Sequence, residues 1–217
     1  MKKIVLILIF YFPILLNAQS YEDPDQLAKA VAVKMSKVKK YTADVEIEVD
    51  VEFVKIDKRR ARLFYEYPDK FEIKAKGIAL LPKKGAEMEY LQLMNSEFTA
   101  IEEGMDTSGE IKTRKLKIIP VGSETDIVLA QVWIDEKNLR IEKMETFTKS
   151  SGSYNIDFAY SDHPFDLPDS ITVKFDVKDM SLPASMTGDF ESLAKKIEKK
   201  GSTKGKVVLN YSNYEVN

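Results

Sequence analysis

The 217-residue chain has no cysteine and a single histidine. Disulfides, thiolate nucleophiles and cysteine-based zinc sites are therefore excluded, and one imidazole cannot complete a multi-histidine metal cluster. Glycine (9) and proline (8) are sparse, which excludes collagen-like and low-complexity chains. Neither charge sign dominates: 33 Lys and Arg stand against 35 Asp and Glu, a formal net charge of −2. The global basic field that polynucleotide binding needs is missing, so no nucleic-acid partner is expected. These absences remove most familiar catalytic chemistries. We expect no enzyme, no metal and no cofactor.

What is present argues for a folded, exported protein. Hydrophobic residues make up 44% of the chain and charged residues 31%, enough for a sizeable core. The longest apolar run, Ile4 to Leu16, follows Lys2-Lys3 and precedes Asn17-Ala18. This is the basic, apolar and small-residue order of an export signal. At about 13 residues it is shorter than the roughly 20 needed to span a bilayer. Residues 1–18 are read as a cleaved signal peptide and 19–217 as one soluble domain outside the cytoplasm. No cysteine follows the apolar run to carry a lipid anchor.

Asp23-Pro24-Asp25-Gln26 combines an N-cap acid, a first-turn proline and a Gln that can bond back to the cap. Leu27, Val31, Met35 and Val38 then form one apolar stripe, which predicts a helix over about 24–40. From Ala43 the period changes to two. Ala43, Val45, Ile47, Val49, Val51 and Phe53 alternate with Asp44, Glu46, Glu48, Asp50 and Glu52, a long strand with one apolar and one acidic face. A hairpin turning at Ile56-Asp57 would set Val51 against Ala61, Val49 against Leu63, Glu52 against Arg60 and Asp50 against Arg62. Phe71, Ile73 and Ala75 continue the alternation. Further strands are expected near 87–94, 97–102, 111–119, 128–134, 139–148, 154–160, 171–177 and 206–217. A short helix is expected over about 189–200, with Phe190, Leu193 and Ile197 at helical spacing before Gly201.

About ten antiparallel strands with one apolar face must curl to bury it, and the helices supply the cover. The fold class is therefore mostly β (α+β): a barrel or half-barrel of about ten or more strands under an N-terminal helix and a second short helix near the C-terminus. Period alone leaves open whether the enclosed face is a packed core or a cavity, because both need the same inward residues.

The order of signal peptide, amphipathic helix and long alternating strand, followed by Ala61-Arg62-Leu63-Phe64-Tyr65-Glu66-Tyr67-Pro68-Asp69-Lys70-Phe71-Glu72-Ile73, resembles the periplasmic outer-membrane lipoprotein carriers, the LolA/LolB-like family. Val132-Trp133-Ile134-Asp135-Glu136-Lys137-Asn138-Leu139 and the strand Gly152 to Tyr160 resemble the family's aspartate hairpin and the strand after it. The resemblance implies an open, strongly curved antiparallel half-barrel that holds acyl chains on its concave face under a helical lid. Leu27, Val31 and Met35 would then lie on the lid, and Val45, Ile47, Val49, Leu63, Tyr65, Phe71 and Ile73 on the concave wall. Phe190, Leu193 and Ile197 would belong to a second lid or to a docking element. The implied partners are acyl chains of lipoproteins or other lipid, with membrane-bound donor and acceptor proteins, and the chain is expected to act as a monomer. The family's latch arginine has Tyr67 at its position, with Arg60 and Arg62 on the preceding strand. The alternative is a periplasmic sensor or interaction module that uses the same fold to regulate a partner protein.

Other candidate chemistry has simpler readings. Asp162-His163-Pro164-Phe165-Asp166 is where the imidazole meets carboxylates, but its prolines mark a turn. Glu102, Glu103, Asp106 and Glu110 lack the ligand spacing of a calcium loop. Lys195, Lys196, Lys199 and Lys200 suit either a helix C-terminus or attraction to an anionic membrane.

Overall fold

The computed structural model describes residues 21–51, 54–68, 70–75, 86–122, 125–149, 152–178 and 202–217. Helix α1 (Pro24–Met35) is followed by β1 (Lys40–Val51), β2 (Val54–Glu66) and β3 (Lys70–Ala75), then by helix α2 (Ala86–Asn95). The remaining strands are β4 (Phe98–Ser108), β5 (Ile111–Pro120), β6 (Ile127–Asp135), β7 (Arg140–Thr148), β8 (Ser153–Ala159), β9 (Ser170–Lys178) and β10 (Ser202–Val216). They form one ten-stranded antiparallel sheet in the order β3-β2-β1-β10-β9-β8-β7-β6-β5-β4. The expected open, curved half-barrel is what forms. The signal-peptide segment and the helix expected over 189–200, with Phe190, Leu193 and Ile197, lie outside the described residues.

One face of the sheet is apolar and carries the core. Val45, Ile47, Leu63 and Tyr65 from β1 and β2 join Leu116 and Ile118 from β5, Val132 and Ile134 from β6, and Leu27 and Val31 from α1. The other face is polar and ion-paired. Arg62 meets Asp44 at 2.8 Å and Glu215 at 2.9 Å, and Lys58 meets Glu46 at 3.0 Å. Glu103 lies 3.2 Å from Lys115 and 3.0 Å from Lys117. The acidic stripe of β1 is therefore a cross-strand pairing surface, a role that costs little to build in water.

Three sequence expectations change. Helix α1 stops at Met35, where Ser36 caps it and donates its hydroxyl to the Val33 carbonyl, so Val38 lies between helix and strand. From Lys40 to Ile47 the β1–β2 register is displaced by six: Asp44 faces Arg62, Glu46 faces Arg60 and Ala43 faces Leu63. Pairing continues to Val51 and Val54, past the turn expected at Ile56-Asp57, after a bulge between Ile47 and Val49. The even displacement before the bulge leaves each side chain there on its expected face, which is why alternation could not detect it.

The third change is the segment expected as a strand near 87–94, which is helix α2. Its residues Ala, Glu, Met, Leu and Gln are strong helix formers. Leu93 and Met94 are buried, with Tyr90 three residues earlier on the same face, half-buried against the core. The helix lies in the connection between the two edge strands and packs on α1 and the core.

Candidate functional site

Helix α1 is fixed at both ends to the strands it covers. At its start, the Asp23 side chain caps the helix by accepting from the Asp25 amide at 2.9 Å. The Asp25 carboxylate in turn accepts from the Ala100 amide on the edge strand β4, at 2.5 Å. Arg114 donates to the Tyr21 carbonyl and, at 3.4 Å, to that of Glu22. Glu102 at 2.5 Å and Glu136 at 3.0 Å orient its guanidinium. At the other end, Lys34 donates to the Asn138 carbonyl in the β6–β7 turn and meets Asp166 in the β8–β9 loop at 2.6 Å. The Asp135 side chain holds that turn by accepting from the Lys137 and Asn138 amides and from the Asn138 side chain.

Beneath this second end lies a cavity of about 80 Å³, bordered by Met35, Val38, Tyr41, Tyr65, Leu139 and Phe158, with Lys34, Arg140 and Asp166 as its ionised residues. Pockets for drug-sized ligands run to about 300–1,000 Å³, so the space is a narrow gap beneath the end of α1. Aromatic contacts set its walls: Tyr41 and Tyr65 have centroids 5.0 Å apart, and Tyr90 meets Phe158 edge-on at 5.2 Å. The Tyr160 hydroxyl donates to the Ile141 carbonyl at 2.8 Å, and burial pushes its phenol far above the ordinary tyrosine value. Arg140 stacks on the Tyr160 ring at 4.5 Å and pairs with Glu142 at 2.8 Å. Burial raises the Glu142 carboxyl above its usual range, against the opposing pull of that guanidinium.

Of the residues expected on lid and wall, Met35 and Tyr65 border the cavity. Leu27, Val31, Val45, Ile47 and Leu63 are buried in the packed core, and Val49, Phe71 and Ile73 are half-buried against it. Most of the concave face is therefore filled by its own side chains.

Arg60 and Arg62 are not lid contacts: Arg62 pairs with Asp44 and Glu215, and Arg60 with Glu46, on the polar face. Tyr67 stays half-buried against the core, with the Lys39 ammonium 4.0 Å over its ring. The ionic tie of α1 is instead that of Lys34 to Asp166, and Arg114 holds the backbone carbonyls of Tyr21 and Glu22 just before the helix; sequence reading selected neither residue. His163 packs its ring against Phe165 and Tyr214, at 5.8 and 5.0 Å, so the loop was noticed for its imidazole while Phe165, Asp166, Leu167 and Pro168 are its residues at the cavity.

Among the described residues no group of three or more His, Asp or Glu is placed to hold a metal ion. Glu102, Glu103 and Asp106 have partners in Arg114, Lys115 and Lys117, and Trp133. No described helix is long and apolar enough to cross a membrane.

No family model matches the sequence, and no curated protein is significantly similar to it. Solved structures share the fold. A DUF1329 family protein from Desulfovibrio piger superposes with a TM-score of 0.57 at 12% identity, covering 90% of this chain and 94% of that one. A domain assigned to outer membrane lipoprotein sorting from Vibrio parahaemolyticus gives 0.57 at 11% identity, covering 88% and 91%. A LolA superfamily protein from Nitrosomonas europaea gives 0.52 at 11% identity, covering 88% and 93%. The architecture is that of the LolA-like half-barrel.

Proposed function

We propose that this chain is a non-catalytic periplasmic carrier that shelters acyl chains of lipoproteins or other lipids in transit to the outer membrane. The observation that carries the reading is the closed lid. Helix α1 lies over an apolar concave face, tied by side chains at its two ends, and a gap lined by Met35, Val38 and aromatic rings remains where it ends. The largely apolar and aromatic lining suits sequestration of an aliphatic chain. The LolA-like fold, shared with a lipoprotein-sorting domain, supports the same reading.

A gap of about 80 Å³ is too small for a long acyl chain, so uptake requires α1 to move off the sheet. The helix is suited to this, because its buried stripe is narrow (Leu27, Ala28 and Val31) and Val33 faces solvent.

Mass spectrometry of the natively purified protein tests the proposal by detecting co-purified lipid or acylated peptide. A second arm measures uptake of a fluorescent acyl probe. Met35→Trp should keep the fold and block uptake by filling the gap. A folded wild-type chain that carries no lipid and takes up no probe overturns the proposal.

A further inference from the structure

Lys34 and Arg140 converge on a single carboxylate at the rim of the cavity. The Lys34 ammonium lies 2.6 Å from one oxygen of Asp166, and the Arg140 guanidinium lies 3.9 Å from the other. These groups come from three separate parts of the chain: the last turn of α1, the start of β7 and the β8–β9 loop. All three border the same otherwise apolar and aromatic space. Both cations are largely shielded from water, with side chains 26% and 18% exposed, whereas Asp166 is 36% exposed. Asp166 also adopts a left-handed backbone conformation, with φ of 50°, which a non-glycine residue occupies at some cost.

The charge balance distinguishes the two cations. Besides Asp166, Arg140 has Glu142 at 2.8 Å and Asp135 at 3.8 Å as carboxylate partners. Lys34 has Asp166 as its one carboxylate partner among the described residues, together with the Asn138 carbonyl. Moving the loop away would leave a half-shielded ammonium beside an apolar space, a costly arrangement unless another anion replaces the lost one. A molecule with its aliphatic tail under α1 and an anionic head at the rim supplies that anion. A neutral head leaves Lys34 without a counter-charge, and an ammonium head adds repulsion.

We infer that the cavity selects amphiphiles with an anionic head group, and that Asp166 occupies the head-group position in the closed state and is displaced when such a ligand binds. This rests on the carrier reading and adds a ligand class to it. The shared chemistry is an oxyanion, carboxylate or phosphate, on an aliphatic chain. Lys34 is the specificity-determining residue and Asp166 the internal competitor.

Three ligands of one chain length, a fatty acid, its methyl ester and the corresponding alkyl phosphate, are titrated below their aggregation limits against the purified chain. Displacement of a neutral fluorescent acyl probe reports binding. The oxyanion ligands should bind at least tenfold more tightly than the ester. Asp166→Asn should tighten oxyanion binding several-fold with the ester unchanged, and Lys34→Gln should reduce oxyanion affinity to that of the ester. Circular dichroism establishes that each variant is folded.

Whichever oxyanion binds more tightly identifies the head group, and either result supports the inference. Equal binding of ester and oxyanions by the wild-type chain overturns the head-group selection while leaving a carrier. Absence of binding by all three and by the probe overturns the carrier reading as well. If Asp166→Asn tightens ester and oxyanion alike, Asp166 is a lid tie only and its role as competitor is wrong.

Discussion

Asp25, in the first turn of α1, accepts a 2.5 Å hydrogen bond from the backbone amide of Ala100 on the edge strand β4. One side chain thus anchors α1 and gives a partner to an amide of an edge strand, the kind of group that otherwise invites pairing with another chain. Hydrogen bonds to charged groups contribute about 1.5–3 kcal/mol. Asp25→Ala should therefore destabilise the protein by about 1–3 kcal/mol in urea denaturation, and Asp25→Asn by less because it keeps an acceptor. No change for Asp25→Ala would mean that α1 is not anchored there.

The tie between Asp25 and Ala100 was not legible in the sequence, and the reason applies to the whole site. Period-two alternation in Ala43 to Val51 showed which residues face inward, because side-chain direction is a local property of a strand. It could not fix the β1–β2 register: acids and arginines recur at every second position, so two alignments six residues apart both pair opposite charges. Helix α2 was missed because Met88, Tyr90 and Met94 also fit an alternating pattern. The cavity rim joins residues 34, 140 and 166, which only the antiparallel order β9-β8-β7 and the crossing of α1 bring together. No local pattern marks such a meeting.

Trp133 offers a single-site optical reporter, since the chain has one tryptophan. It lies on the polar face yet is only 5% exposed, covered by Lys115 and Lys143 with their ammonium groups 4.8 and 4.4 Å from its ring. Its indole donates to Asp106 at 2.8 Å, and this bond, helped by the Thr107 amide, holds the Asp106 carboxyl below its ordinary value of 3.8. A depressed carboxyl stabilises the fold above 3.8, and that contribution is lost as pH falls through the folded-state value. Tryptophan fluorescence should therefore show an acid step with its midpoint below 3.8, absent in Asp106→Asn. A midpoint at or above 3.8 in the wild-type chain would contradict the contact.

Gly205 on β10 faces Phe175 on β9. A Cβ at Gly205 would sit 2.3 Å from the Phe175 ring, so any larger residue must push the ring away. Overpacking of this kind costs about 1–3 kcal/mol. Gly205→Ala should lower the urea midpoint, and combining it with Phe175→Leu should recover much of the loss. A double-mutant cycle without coupling would show that the two positions do not touch.

Glu142 gives a pH dependence of the opposite sign. Its carboxyl is buried on β7, and burial together with the neighbouring Asp135 outweighs the Arg140 guanidinium, so its folded-state value stands above 4.5. Between 4.5 and that higher value the native state keeps a proton that the unfolded chain has released. Raising the pH through this window therefore lowers stability, and the penalty persists above it. The depressed carboxyls Asp44, Glu66, Glu103 and Asp106 act in a separate window, where stability falls as pH is lowered through their folded-state values. Glu142→Gln keeps an acceptor for Arg140 and removes the titration. Urea denaturation at a series of pH values should show the wild-type chain losing stability just above 4.5 and the variant losing less. Carboxyl NMR should place the Glu142 midpoint above 4.5, and a midpoint below it would show that the Arg140 pairing prevails over burial.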